Sequence, residues 1–147
     1  KADSDGVNQA INSPFENLGL EVNYEKNVGE HFSYSLGTDI SNPKSKDAGK
    51  WTRKFAREQY TASLKYNNRD FTAALAGSMT ADRAGGWKDR LPLNLYTSYQ
   101  LSKDHRIDLV CENILNRKDL VGNWSNANST RYYSLPRNIR LTYTYTF

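Results

Sequence analysis

Asn138-Ile139-Arg140-Leu141-Thr142-Tyr143-Thr144-Tyr145-Thr146-Phe147 decides the reading of this chain. Ile139, Leu141, Tyr143, Tyr145 and Phe147 fall on one side of an extended backbone, and Asn138, Arg140, Thr142, Thr144 and Thr146 on the other. Successive side chains of a strand point to opposite faces, so this stretch is a strand with one apolar and one polar side. Six earlier segments repeat the pattern. Leu18, Leu20, Val22 and Tyr24 alternate with Gly19, Glu21, Asn23 and Glu25. Phe32, Tyr34, Leu36 and Ile40 oppose Ser33, Ser35, Gly37 and Asp39. Tyr60, Ala62, Leu64 and Tyr66 oppose Gln59, Thr61, Ser63 and Lys65. Phe71, Leu75 and Met79 mark a weaker strand padded with alanine. Leu91, Leu93, Leu95, Tyr99 and Leu101 oppose Asn94, Ser98 and Gln100, with Tyr96 out of phase. Ile107, Leu109 and Cys111 oppose Arg106, Asp108 and Glu112. No segment carries a convincing helical period.

The connections alternate in length. Residues 25–30, 66–70 and 102–105 are tight and hold turn formers such as Asn67-Asn68 and Lys103-Asp104. Residues 41–56, 80–90 and 114–131 are long. A soluble sandwich has no reason to gather every long loop at one end, whereas a transmembrane β-barrel has short periplasmic turns and long extracellular loops. The segments also approach the 9–11 residues that a tilted membrane-crossing strand needs. The sequence therefore predicts an all-β fold, an antiparallel up-and-down transmembrane β-barrel segment of about seven strands. With the C-terminus on the periplasmic side, the first strand, about residues 15–26, also runs inward, and residues 1–14 become the tail of an outer loop. Seven strands do not make a complete single-chain barrel, because bacterial barrels have even strand numbers and an open edge cannot face lipid. The expectation is that residues 1–147 are one C-terminal segment of a longer barrel.

Composition narrows the classes further. The chain has 147 residues and a net charge of +4, with ten tyrosines, five phenylalanines and three tryptophans. That aromatic content amid Asn, Ser and Thr favours strands. Mean hydropathy is −0.80, and no window approaches the roughly 20 apolar residues of a spanning helix. One cysteine, Cys111, leaves no intrachain disulfide and no cysteine-based zinc site. Nucleic-acid binders concentrate charge on one helix or stripe, so a mild basic excess alone indicates little, and no nucleic-acid partner is expected.

Three stretches carry a family resemblance. Val110-Cys111-Glu112-Asn113-Ile114-Leu115-Asn116 is similar to the V-x-N-L-F-[ND] run in the penultimate strand of TonB-dependent outer-membrane receptors. Ile114 and Leu115 depart from that family's Leu and Phe. Tyr133-Ser134-Leu135-Pro136-Arg137-Asn138 resembles the opening of the family's last strand. The ending, with Leu141, Tyr143, Tyr145 and Phe147, resembles the signal read by the barrel assembly machinery. Motif-level resemblance covers about residues 107–147. It implies a location in the bacterial outer membrane and a barrel of about 22 strands with a plugged lumen. It also implies import of a scarce ligand such as a ferric siderophore, driven through the TonB complex. The plug and the TonB-contacting segment would lie N-terminal to this barrel segment, so the chain would not be transport-competent alone. Its partners would be the rest of the receptor, outer-membrane lipid and lipopolysaccharide. No cofactor is implied.

Candidate ligand contacts fall in the long connections: Trp51, Arg53, Lys54, Arg83, Trp87 and Trp124. A basic run formed by Lys44, Lys46, Lys50, Arg53, Lys54 and Arg57 faces a single acid, Asp47, and suits an anionic ligand or lipopolysaccharide phosphates. Its commoner meaning is a solvated loop. The tryptophans suit stacking on a catecholate or sugar, or more generally anchoring at the outer membrane interface. Glu21, Asp39, Arg106, Asp108, Glu112 and Arg140 would line the lumen as structural ion pairs. Catalysis is not indicated. Glu21 and Glu25 lie about 13 Å apart at strand rise, beyond the roughly 5–9.5 Å of a glycosidase pair. His31 and His105 sit at tight turns and suggest neither a metal site nor a base. Asn123-Trp124-Ser125 and Asn128-Ser129-Thr130 match the glycosylation pattern by composition alone. Two other readings remain open: a small complete outer-membrane barrel for adhesion or anchoring, and a soluble lipocalin-like barrel that binds a ligand.

Overall fold

The computed structural model describes residues 14–47, 49–53, 55–124 and 130–147, with backbone only at residues 47, 122–124 and 130. Twelve strands follow in chain order: β1 (Phe15–Glu16), β2 (Gly19–Val28), β3 (Phe32–Ser41), β4 (Lys44–Asp47), β5 (Lys50–Arg53), β6 (Glu58–Asn67), β7 (Phe71–Ala81), β8 (Leu93–Ser102), β9 (His105–Glu112), β10 (Leu120–Trp124), β11 (Thr130–Tyr133) and β12 (Asn138–Tyr145). One 3-10 turn, Ala84–Gly86, lies between β7 and β8. The seven alternating segments form a single antiparallel sheet in the order β12-β9-β8-β7-β6-β3-β2. Its outer strands, β2 and β12, are not paired with each other, so the described sheet is open.

Three boundaries differ from the sequence expectation. The first segment is broken, because Phe15–Glu16 pairs with β4 in a separate three-stranded ribbon, β1-β4-β5. Phe15 packs edge-on against Phe55 there, at 6.1 Å between ring centroids. β8 begins at Leu93 rather than Leu91, since Pro92 has no N–H to give the ladder and only its carbonyl accepts, from the Ser78 N–H. Two long connections contain structure of their own, the β4-β5 hairpin and the β10-β11 hairpin. Of the expected outer-loop tail, residues 1–13 lie outside the described region.

Register decides the faces. Leu20 pairs with Ile40, Tyr24 with Leu36, Leu36 with Ala62, Leu64 with Leu75, Leu75 with Leu95, Leu95 with Cys111, and Cys111 with Ile139. Partners across a ladder share a face, so the apolar side of every strand joins one continuous surface across all seven. The opposite surface carries Glu21, Asp39, Lys65, Asp108, Glu112 and Arg140 with a lawn of Ser, Thr and Asn. Charges enter the apolar surface only at its margins. Lys26 sits toward the tight turns and Glu58 at the opposite end.

Nothing among the described residues covers this apolar surface. Leu20 is 65% exposed, Ile139 63% and Leu141 70%, and Ala81 is the one buried hydrophobic residue described. The tight-turn end is bordered by rings. Phe32 meets Tyr66 at 4.8 Å, Tyr66 meets Phe71 at 6.1 Å, and Phe71 meets Tyr99 at 6.4 Å. Farther along, His105 stacks on Tyr145, which touches Phe147, both at 4.8 Å. These spacings are those of favourable aromatic pairs. The turns themselves are fixed by side chains. The Asn68 Oδ1 accepts from the Asp70 and Phe71 N–H groups at 3.0 and 2.8 Å, the asparagine turn that its position before the strand suggested.

Gly37 lies between Asn23 and Thr61 on the polar face. A Cβ there would run into the Thr61 hydroxyl and come within 2.6 Å of the Asn23 side-chain oxygen. Gly37→Val is expected to destabilise the sheet by about 1–3 kcal/mol through overpacking. Its urea midpoint, compared with that of Gly37→Ala, checks the graded steric effect.

Candidate functional site

At the long-connection end, one network ties the chain together. Asn113 and Asn116 follow β9 and both adopt positive φ, 49° and 50°, a conformation that asparagine tolerates better than most residues. The Asn113 Oδ1 accepts from the Arg117 N–H at 3.0 Å, while its Nδ2 donates to the carbonyls of Arg117 and Leu135 at 2.9 and 2.8 Å. The Asn116 Oδ1 accepts from the Arg137 N–H at 2.9 Å. The Ser134 hydroxyl donates to the Arg117 carbonyl and accepts from the Asp119 N–H, both at 3.0 Å. Thus the asparagines after β9 and the Ser-Leu-Pro-Arg run before β12, distant in sequence, form one hydrogen-bonded knot.

Asp119 is its centre and is 9% exposed. One carboxylate oxygen accepts from the Arg117 Nε at 3.1 Å, and the other from the Leu91 N–H at 3.2 Å. Arg117 also donates to the Asp89 carbonyl at 3.1 Å. A buried carboxylate is tolerable only with such partners. Here they come from both the β7–β8 and the β9–β12 connections. Asp119 gave no periodic or motif signal in the sequence. Its position two residues after Arg117 was the only hint available.

The knot borders a polar cavity of about 730 Å³ between these connections. Trp87, Lys88, Arg117, Lys118, Arg131 and Tyr133 are among the residues that line it. The Arg83 guanidinium lies over the Trp87 ring at 4.8 Å and donates to the Lys88 carbonyl at 3.0 Å. Lys118 lies over Tyr133 at 4.7 Å. A second depression, about 650 Å³, lies on the apolar sheet surface over the small residues Ala62 and Gly77 and is bounded by Tyr60, Leu64 and Leu75.

The candidate ligand contacts divide into two groups. Trp51 and Arg53 belong to β5, and Arg83 and Trp87 to the next connection. Lys54 lies outside the described residues, and only the backbone of Trp124 is described, at the end of β10. Asp82 links the groups. Its carboxylate meets Arg53 at 2.6 Å and Arg57 at 3.7 Å, and Arg83 follows it in sequence. Lysines 88 and 118, Arg131 and Tyr133 were not singled out from the sequence, because nothing linear joins the two connections that bring them together. Of the polar-face charges, Arg106 pairs with Asp108 at 3.0 Å, and Glu112 accepts from the Asn138 amide at 3.2 Å. His31 and His105 stay at the tight turns, with the Nδ1 of His31 bonded to the Asn67 carbonyl and that of His105 to the Tyr143 hydroxyl. Among the described residues, no three His, Cys, Asp or Glu side chains converge as a metal-holding group. Comparisons with protein families, with curated proteins and with solved structures find no match for this chain.

Asp119→Ala leaves the Leu91 N–H and the Arg117 Nε–H without their acceptor, at an expected local cost of about 2–4 kcal/mol. Hydrogen exchange should quicken at the Leu91 amide while the β6–β7 ladder keeps its protection. The hydrogen bond from Arg53, opposed in part by desolvation and helped by the charges of Arg53 and Arg57, holds the Asp82 carboxyl below the usual carboxylate range. The stabilisation is therefore complete at neutral pH and is lost as pH falls through the lowered value. Arg53→Gln should move the Asp82 titration back upward, measured by carboxyl NMR.

Proposed function

We propose that this chain is part of the barrel wall of a TonB-dependent outer-membrane transporter that imports a scarce ligand of the ferric-siderophore class. The observation that carries the proposal is the continuous apolar surface of seven registered strands, uncovered along its whole width. Exposed apolar surfaces of this extent mark contact with a membrane or partner. Strands of eight to eleven residues are near the length for a tilted crossing. Rings at one margin and charges kept to the margins fit a slab of hydrocarbon between two wet interfaces. In this reading the polar surface faces the lumen, and the long connections, with the cavity beside Trp87, lie on the outside.

The TonB-dependent assignment is supported by the resemblance of residues 107–147 and by the physical use those residues have. Across the β9–β12 connection the Asn113 amide donates to the Leu135 carbonyl, the Asn116 Oδ1 accepts from the Arg137 N–H, and the Ser134 hydroxyl donates to the Arg117 carbonyl. The absent parts of such a receptor would supply the plug and the contact with TonB, and this segment supplies wall and outer loops. A soluble lipocalin-like barrel would instead turn the apolar surface inward around its ligand.

Cys111 provides the test, since it lies on the apolar surface between Leu95 and Ile139. In outer membranes holding the intact protein, Cys111 should react with an apolar maleimide and resist a charged one. A cysteine placed at Asp108 in a Cys111→Ser background should show the opposite preference. Recovery of the protein in the aqueous fraction, with both positions reacting alike, rejects the membrane reading. A deletion strain should grow poorly under iron limitation, and normal growth there on every iron source rejects iron import.

A further inference from the structure

Two opposite charges, Arg90 and Glu112, share the walls of one cavity without meeting. The cavity, of about 400 Å³, is bounded by the start of β8, the end of β9 and the Ser-Leu-Pro run before β12. Arg90 is fixed by its backbone, which exchanges two hydrogen bonds with Thr80 at 2.9 and 3.0 Å. Its Nε is buried and has no hydrogen-bond partner among the described residues. No described carboxylate lies within ion-pair distance of its guanidinium. A buried charged donor without an acceptor is costly, and native structures leave few of them. Glu112, the last residue of β9, accepts from the Asn138 amide at 3.2 Å, and no described cation pairs with it. Asp119 also borders the cavity, but its two oxygens are taken by Arg117 and the Leu91 N–H. Pro92, Leu135 and Pro136 add apolar wall. The volume lies within the common range of small-ligand sites.

We propose that this cavity binds a small zwitterion of amino-acid type, with a carboxylate at one end and an ammonium at the other. The Arg90 guanidinium takes the carboxylate, which its planar fork matches, and the buried Nε supplies one of the donors. Glu112 takes the ammonium, a group with three donors and no acceptor. A simple anion would satisfy Arg90 but bring its charge to a wall that already holds two carboxylates, Glu112 and Asp119. A simple cation would suit Glu112 and leave Arg90 unpartnered. A ligand with both charges satisfies both walls, and specificity is the difference between those binding energies. Such a site requires neither the membrane reading nor the importer reading, because described side chains alone build it.

Calorimetric titration of the intact protein with β-alanine, 4-aminobutyrate and glycylglycine provides the test, with butyrate and butylammonium as probes of one charge each. At least one zwitterion should bind about tenfold more tightly than either single-charge probe. Arg90→Gln and Glu112→Gln should each weaken that zwitterion about tenfold, the size of one lost charge-assisted contact. Lys103→Gln, at the tight turn between β8 and β9, should change nothing. The Arg90 Nε–H proton, assigned by its loss in Arg90→Lys, gives a second readout in the unaltered protein. The zwitterion should move its NMR signal downfield and slow its exchange with water. Butyrate or butylammonium binding as tightly as the best zwitterion overturns the proposal, and so does failure of all three zwitterions to bind. Variants that leave the affinity intact, or an Nε–H signal that the ligand does not move, overturn it as well. None of these outcomes touches the importer reading, which stands or falls on growth of the deletion strain under iron limitation.

Discussion

Everything in this structure depends on phase. Seven strands each alternate between apolar and polar residues, and the ladders keep the faces in phase, with a register shift only at the tight turn, between Gln100 and Ser102 of β8. A shift of one residue in any pairing would send the apolar residues of that strand onto the polar surface. The ladders from β2 to β12 keep Leu20, Leu36, Leu64, Leu75, Leu95, Cys111 and Ile139 on one side. Two surfaces of opposite character result, and neither is used to make a conventional core.

The long-connection end obeys a different logic. Hydrophobic burial contributes little there, so direction is imposed by specific hydrogen bonds. Asparagine side chains at two positive-φ positions reproduce the donors and acceptors of a missing ladder, and a nearly buried carboxylate gathers an amide and a guanidinium from separate connections. This order holds Trp87 and Tyr133 at a common cavity. Long connections need such internal scaffolding, because ordering them costs conformational entropy that hydrophobic burial does not offset there.

The sheet was readable from the sequence because period-two alternation is a local signal, and all seven segments appear as strands. Even padded β7, with Ala73, Ala74 and Ala76 diluting its pattern, keeps its phase through Phe71, Leu75 and Met79. The ribbons inside the connections were not readable. β4 and β10 are short, and their residues, such as Lys44-Ser45-Lys46 and Val121-Gly122-Asn123, alternate no better than a loop does. The candidate site was readable only in part. Trp87 and Arg83 stood out by residue type, whereas Lys118 and Arg131 acquire meaning from spatial convergence. A second aromatic border was not singled out in the sequence. Tryptophans drew attention to the long connections, while the described ring-to-ring row sits at the tight turns and is built of tyrosine, phenylalanine and histidine.

That row is lopsided. Its rings sit shoulder to shoulder at one margin, while toward the far margin β7 carries the smaller or more flexible Gly77, Met79 and Ala81, paired with Ala62, Tyr60 and Glu58. In a bilayer, amphipathic rings hold a fixed depth at the interface, and small side chains bear displacement easily. Under the proposed membrane reading, the tight-turn edge would be a depth stop, and a change in membrane thickness would be absorbed at the opposite edge. On that same reading, swelling or thinning of the bilayer would be felt first beneath the long connections, where the cavity is.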